Sequence, residues 1–198
     1  MGRLLGARHR SRRLRDRAAG TRRPDQRTVG RPRRPGTRQR GCPRGRALRR
    51  ADQQATVTVL DAYAVIAYFR AEPSAHEVAG LLAQPSVMST ANAAEVMDQL
   101  ARIYGRHPDD VEADIALLSS IGMRLAPVTA QLGVLAGRLR TRHYHRERMA
   151  VSLSDCVAAA TALSEQLPLA TADPALAEVV RLEGGKVHPL PDSKGRLP

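Results

Sequence analysis

Tryptophan is absent from this 198-residue chain, phenylalanine occurs once and tyrosine four times. So little aromatic surface excludes a core built on stacked rings. It also argues against single-stranded nucleic acid held on an aromatic platform. Cysteine occurs twice, at Cys42 in a basic stretch and Cys156 in an apolar one. Two isolated thiols form neither a disulfide framework nor a metal-binding spacing, so a reduced, cytoplasmic protein is expected. No apolar run approaches the roughly 18 residues of a membrane span. No apolar h-region follows the charged N-terminus, as a secretory signal requires. No membrane partner is expected. Lysine is missing from the first 50 residues, where all 19 cations are Arg. What is plentiful is aliphatic: apolar residues make up 42% of the chain, enough to bury one core of Ala, Leu and Val.

The net charge of +13 is unevenly held. Residues 1–50 carry 19 Arg against 2 Asp, and the remainder carries 13 Lys and Arg against 17 Asp and Glu. The body is therefore mildly acidic. Residues 1–54 are rich in Arg, Gly, Pro and Thr and hold few large apolar side chains. Such a segment cannot bury enough surface to offset its ordering entropy, and a disordered extension is expected over 1–54. One reading makes it an electrostatic arm for nucleic-acid phosphates. The other places it upstream of the true start, near Val57 or Val59, because Arg without Lys is what GC-rich DNA gives in an unselected frame. Mass spectrometry of the native N-terminus separates the two.

From Thr56 the pattern changes. Short β-branched or apolar runs at 56–60, 85–90, 123–128, 168–173 and 186–190 read as strands. Amphipathic stretches at 62–70, 74–84, 91–105, 108–122, 129–145, 152–167 and 174–183 read as helices. Alternation of this kind predicts an α/β fold with a mainly parallel sheet and helices on its faces. The domain is expected over 55–192, with a short tail at 193–198. Active groups in such sheets gather beyond the carboxyl ends of the strands.

Four acids fall at those places. Asp61 ends "TVTVLD" and Asp173 follows "PLATA"; Asp155 and Glu95 lie early in helices that follow or precede strands. Singly, each has a plain explanation. Asp61 serves as a helix cap, Asp155 complements a helix N-terminus, Asp173 makes a turn before Pro174, and Glu95 is a solvated face residue. Together, from four segments, they are expected to converge on one rim. Carboxylates that close repel by about 4 kcal/mol per pair at an effective dielectric near 20. A hard divalent cation relieves this, and oxygen donors suit Mg²⁺ or Mn²⁺ rather than zinc.

The blocks "VTVLDAYAVIAYFRAEP", "STANAAEVMDQL", "SLSDCVAAATALSEQLPLATADPAL" and "KVHPLP" together resemble the successive blocks of PIN-domain proteins. Within that family they are most similar to VapC-type toxins of bacterial toxin–antitoxin pairs. The resemblance spans roughly residues 57–191. It implies a three-layer α/β/α fold and an Mg²⁺-dependent ribonuclease that cleaves phosphodiester bonds with a metal-activated water. It also implies that Asp61, Glu95, Asp155 and Asp173 form the acidic quartet. Asn92 and Thr171 take supporting roles, and Asp98 is an outer acid one turn after Glu95. The partners it implies are an RNA substrate, a cognate antitoxin and a second copy in a homodimer. One departure is visible: a small hydroxyl residue usually stands two positions after the first Asp, where this chain has Tyr63.

"RLRTRHYHRER" supplies Arg138, Arg140, Arg142, Arg146 and Arg148 just before the Asp155 helix. Two readings stand, contact with RNA phosphates or a solvated helix end whose cations complement the dipole. His143 and His145 lack the further Cys or His that a zinc site needs. A haloacid-dehalogenase-type phosphatase requires a second Asp at position 63. Glycine-rich nucleotide-binding loops are absent after the first strand. The remaining alternative is a non-catalytic nucleic-acid binder acting through its Arg-rich arm.

Overall fold

A computed structural model describes residues 57–198. The expectations for residues 1–54 lie outside the described residues. Five strands form the sheet: β1 (Thr58–Leu60), β2 (Ser86–Ser89), β3 (Met123–Ala126), β4 (Leu169–Thr171) and β5 (Val187–Pro189). All four pairings are parallel, in the order β3-β2-β1-β4-β5, with Val59 paired to Val87 on one side and Leu169 on the other.

The helices are α1 (Ala62–Phe69), α2 (Ala75–Leu82), α3 (Thr90–Asp98), α4 (Pro108–Ser120), α5 (Ala130–His143), α6 (Leu153–Glu165) and α7 (Pro174–Leu182). Successive strand residues face opposite ways, and the core divides accordingly. Leu60, Met88 and Ala170 pack with α1, α2, α3 and α4, whereas Val59, Val87 and Leu169 pack with α5, α6 and α7. The expected three-layer α/β/α sandwich with a parallel sheet is the fold observed. Its central helix is α6, where Cys156 through Ala162 are all buried. Small side chains let α6 press against the strands and its neighbours at once, which explains the alanine-rich composition read in the sequence.

Most strand-to-helix turns carry their own cap. Asp61 caps α1 by accepting from the Ala64 N–H at 2.8 Å. Ser89 caps α3, Thr129 caps α5, and Asp173 caps α7 ahead of Pro174. The helix expected over 91–105 is α3 followed by one π-helical turn, Gln99–Ile103. Gly105, at φ +69°, ends it in the left-handed region that glycine alone enters freely. Among the described residues no helix is long and apolar enough to cross a membrane.

Candidate active site

β1 is the switch point of the sheet. β2 and β3 extend to one side and β4 and β5 to the other, so the helices leaving β1 and β4 diverge and open a crevice at their strand ends. A cleft of about 470 Å³ lies there, lined by Asp61, Glu95, Asp155 and Asp173 together with Tyr63, Gln99 and the 192–196 segment. Four acids separated by up to 112 positions thus share one cavity.

Each acid is placed by its own local structure. Asp61 directly follows β1 and is almost fully buried, at 3% exposure. Burial pushes its carboxyl up to about 7, opposed by bonds from the Thr171 hydroxyl and the Ala64 N–H and reinforced by Asp155 and Asp173. Asp155 sits in a capping box. The Ser152 hydroxyl accepts from the Asp155 N–H at 3.0 Å, and Asp155 Oδ2 accepts from the Ser152 N–H at 2.6 Å. Its carboxyl is also raised, first by burial and then by Asp173 and Glu95, against the Ser152 bonds. Asp173 uses Oδ1 for both cap bonds, from Ala175 at 2.7 Å and Leu176 at 3.1 Å. Glu95 accepts from Gln99 Nε2 at 2.9 Å on one oxygen and from Ser154 Oγ at 2.5 Å on the other.

The supporting residues divide. Thr171 is buried; its hydroxyl binds Asp61 and accepts from the Asp173 N–H at 3.0 Å, linking two of the acids. Asn92 is buried beside Ser89 and donates to the Ser154 carbonyl at 3.3 Å, tying α3 to the start of α6. Asp98 points elsewhere: it is exposed, pairs with Arg102 through both carboxylate oxygens and does not line the cleft.

None of the five arginines of 138–148 lines the cleft. Helices of a parallel sheet begin at the strand ends and finish at the opposite edge. Arg142 and His143 accordingly meet Glu183, the C-cap of α7, whose other end carries Asp173. Arg140 bonds the Val151 carbonyl and lies over the Tyr144 ring at 4.4 Å. Arg146 and Arg148 are exposed in the small hairpin closed by His145 and Met149.

The donor set fits a hard divalent cation. It is oxygen-only, Asp155 and Asp173 raise the Asp61 carboxyl while Asp173 and Glu95 raise that of Asp155, and neither lysine, histidine nor cysteine lines the cleft. As placed, the side chains form no cage. Among the described residues no group of three or more His, Cys, Asp or Glu is arranged to hold an ion. Each of the four carboxylates has at least one oxygen bonded to a donor of the protein.

Sequence reasoning missed Gln99, Ser154 and the 192–196 segment. The spacing Ser152-x-x-Asp155 was readable as a capping box, and Gln99 as one turn from Glu95. Nothing local signals that Arg196 returns to the site.

The sequence matches the PIN domain family over residues 58–182. The chain belongs to the PIN-domain family. No curated protein matches it. Solved structures share its fold. One is VapBC2 from Rickettsia felis, bound to a DNA fragment from their promoter, with a TM-score of 0.51 and 17% identity, over 67% of this chain and 98% of that one. Another is VapC20 from Mycobacterium tuberculosis, a sarcin–ricin loop cleaving toxin, with a TM-score of 0.50 and 19% identity, over 61% of this chain and 93% of that one. In this PIN domain the four acids lie at the switch point between β1 and β4, and Tyr63 lines the same cleft.

Proposed function

We propose that this PIN domain is a divalent-metal-dependent ribonuclease and the toxin of a toxin–antitoxin pair. The observation that carries the reading is the shared cleft of Asp61, Glu95, Asp155 and Asp173, with a buried Asp61 whose carboxyl is raised to about 7. Asp61 caps α1, but a buried carboxyl facing two further acids also marks a site for a charged ligand. Asp61, Glu95, Asp155 and Asp173 are the residues that would hold Mg²⁺ or Mn²⁺. When bound, such an ion offsets charge on a scissile phosphate and makes an attacking water more nucleophilic.

The protein's own part is orientation. Ser154 and Gln99 fix both oxygens of Glu95, Thr171 bridges Asp61 and Asp173, and Ser152 holds Asp155. Cleavage by water leaves a 5′-phosphate and needs no 2′-hydroxyl, so preference for RNA rests on groove shape and phosphate contacts. The proposed partners are RNA, a small antitoxin protein and a second copy of the chain. The fold shared with VapC20, described as a sarcin–ricin loop cleaving toxin, supports this reading.

The test is incubation of total RNA with the full chain and Mg²⁺, with EDTA and Asp61→Ala as controls. Cleavage lost in both controls is the expected result. Cleavage that persists in Asp61→Ala of native stability refutes the assignment. RNA binding without cleavage, indifferent to EDTA and lost when residues 1–54 are removed, favours the arm-based binder instead.

A further inference from the structure

The segment after β5 belongs to the cleft. Leu190 is fully buried, and its N–H bonds the Thr171 carbonyl at 2.9 Å. The chain therefore leaves the sheet beside the end of β4, on the rim that carries the four acids. The next residues close a loop built from several bonds. The Asp192 N–H donates to the Arg196 carbonyl and the Gly195 N–H to the Asp192 carbonyl, both at 2.8 Å. Asp192 Oδ1 accepts from the Lys194 and Arg196 N–H groups at 2.8 and 2.9 Å. Gly195, at φ +77°, supplies the reversal. Tyr63 ties the loop to α1 by donating from its hydroxyl to the Pro191 carbonyl at 3.3 Å. The residue that departs from the family pattern thus anchors this turn, and residues 193–198, expected as a tail, place Ser193 and Arg196 in the cleft wall.

Five carboxylates line the cleft, the quartet and Asp192, and Arg196 is the only Lys or Arg among its described residues. Arg196 is thus the one Lys or Arg side chain that an RNA phosphate meets on the described lining of this cavity. Arg196 Nε and Nη2 both donate to Asp192 Oδ2, at 2.9 and 2.7 Å, which fixes the plane of the guanidinium. Its Nη1 has no acceptor among the described residues, and the side chain is 71% exposed. An exposed ion pair of this kind is weak, so an arriving phosphate can share or replace Asp192. A guanidinium fork matches two phosphate oxygens.

We propose that Arg196, presented by the 192–196 turn and its Tyr63 anchor, is the substrate-binding group that holds an RNA backbone phosphate beside the four acids. The assignment rests on the ribonuclease reading above and names the contact that reading lacks, since the arginines of 138–148 do not line the cleft.

The test compares the full wild-type chain with Arg196→Gln and Arg196→Lys. Binding of a fluorescein-labelled single-stranded oligoribonucleotide is followed by anisotropy across a NaCl series, and cleavage of the same RNA is measured with Mg²⁺. Arg196→Gln is expected to weaken binding ~5-fold and to flatten the dependence of log K on log salt by about 0.7, one phosphate contact on a single strand. KM rises by a similar factor and kcat changes less. Arg196→Lys restores the salt slope but only part of the affinity, because charge returns without the fork. The exposed position predicts an unchanged unfolding midpoint for both variants. Wild-type affinity and slope in Arg196→Gln overturn the proposal, and so does tighter binding or faster cleavage, which makes the side chain a plug. If wild type cleaves and Arg196→Gln is unaltered, this assignment alone falls. If wild type neither binds nor cleaves RNA, the ribonuclease reading falls with it.

Discussion

Asp61→Asn should make the metal-free protein more stable at neutral pH than the wild type. Asp61 is buried, and its carboxyl is raised from 3.8 to about 7, first by burial, against the bonds from Thr171 and Ala64 and with the repulsion of Asp155 and Asp173. A carboxyl with a raised folded-state pKa binds its proton more tightly in the folded protein. Its contribution is complete below pH 4 and is lost as pH rises through about 7. About three units at 1.36 kcal/mol each give roughly 4 kcal/mol over the full range, of which about 2–3 kcal/mol is lost between pH 5 and pH 8. Asparagine keeps an oxygen for the Ala64 N–H and cannot ionise. Urea unfolding in EDTA should therefore show the Asn variant gaining on the wild type by about 2 kcal/mol from pH 5 to pH 8. Taking the difference between the two proteins cancels the titrating acids that are not coupled to Asp61. Saturating Mn²⁺ should reverse the order at pH 8, since binding to the folded state stabilises only a chain that retains its ligand. Parallel pH profiles for the two proteins in EDTA would refute the argument that burial strains Asp61 in the empty site.

Three further outcomes test the surroundings. Ser154→Ala removes the hydroxyl bonded to Glu95 Oε2; Mn²⁺ affinity by titration calorimetry should fall ~10-fold, with stability changed by about 1 kcal/mol or less. Ser152→Ala breaks the capping box of α6 and should cost about 1 kcal/mol in urea unfolding. Gly185→Ala drives a Cβ to 2.7 Å from Val180 Cγ1 and 2.9 Å from Leu163 Cδ2; it should cost about 1–3 kcal/mol while RNA affinity holds.

The elements of the fold were readable in the sequence because their signals are local. Alternation of short β-branched runs with amphipathic stretches placed each strand and helix of the described residues to within a few residues. Caps such as Asp61 and Asp173 marked the turns between them. The π-helical turn at Gln99–Ile103 was not readable, since its residues suit an α-helix equally well. The parallel sheet followed from alternation alone. The strand order, with β1 central, needed the packing of both layers.

The site shows the same division. Sequence by itself determined which side chains carry charge and that each of the four acids stands near a strand end or early in a helix. Tertiary structure decided that they share one cavity, that Asp98 turns outward to Arg102, and that the arginines of 138–148 do not line the cleft. It also brought Arg196 back to Asp61 across 135 positions through the register of β4 with β5. The physical reason is range. Capping and periodicity act within a few residues, whereas convergence depends on which strands pair and on which way each helix runs from the sheet.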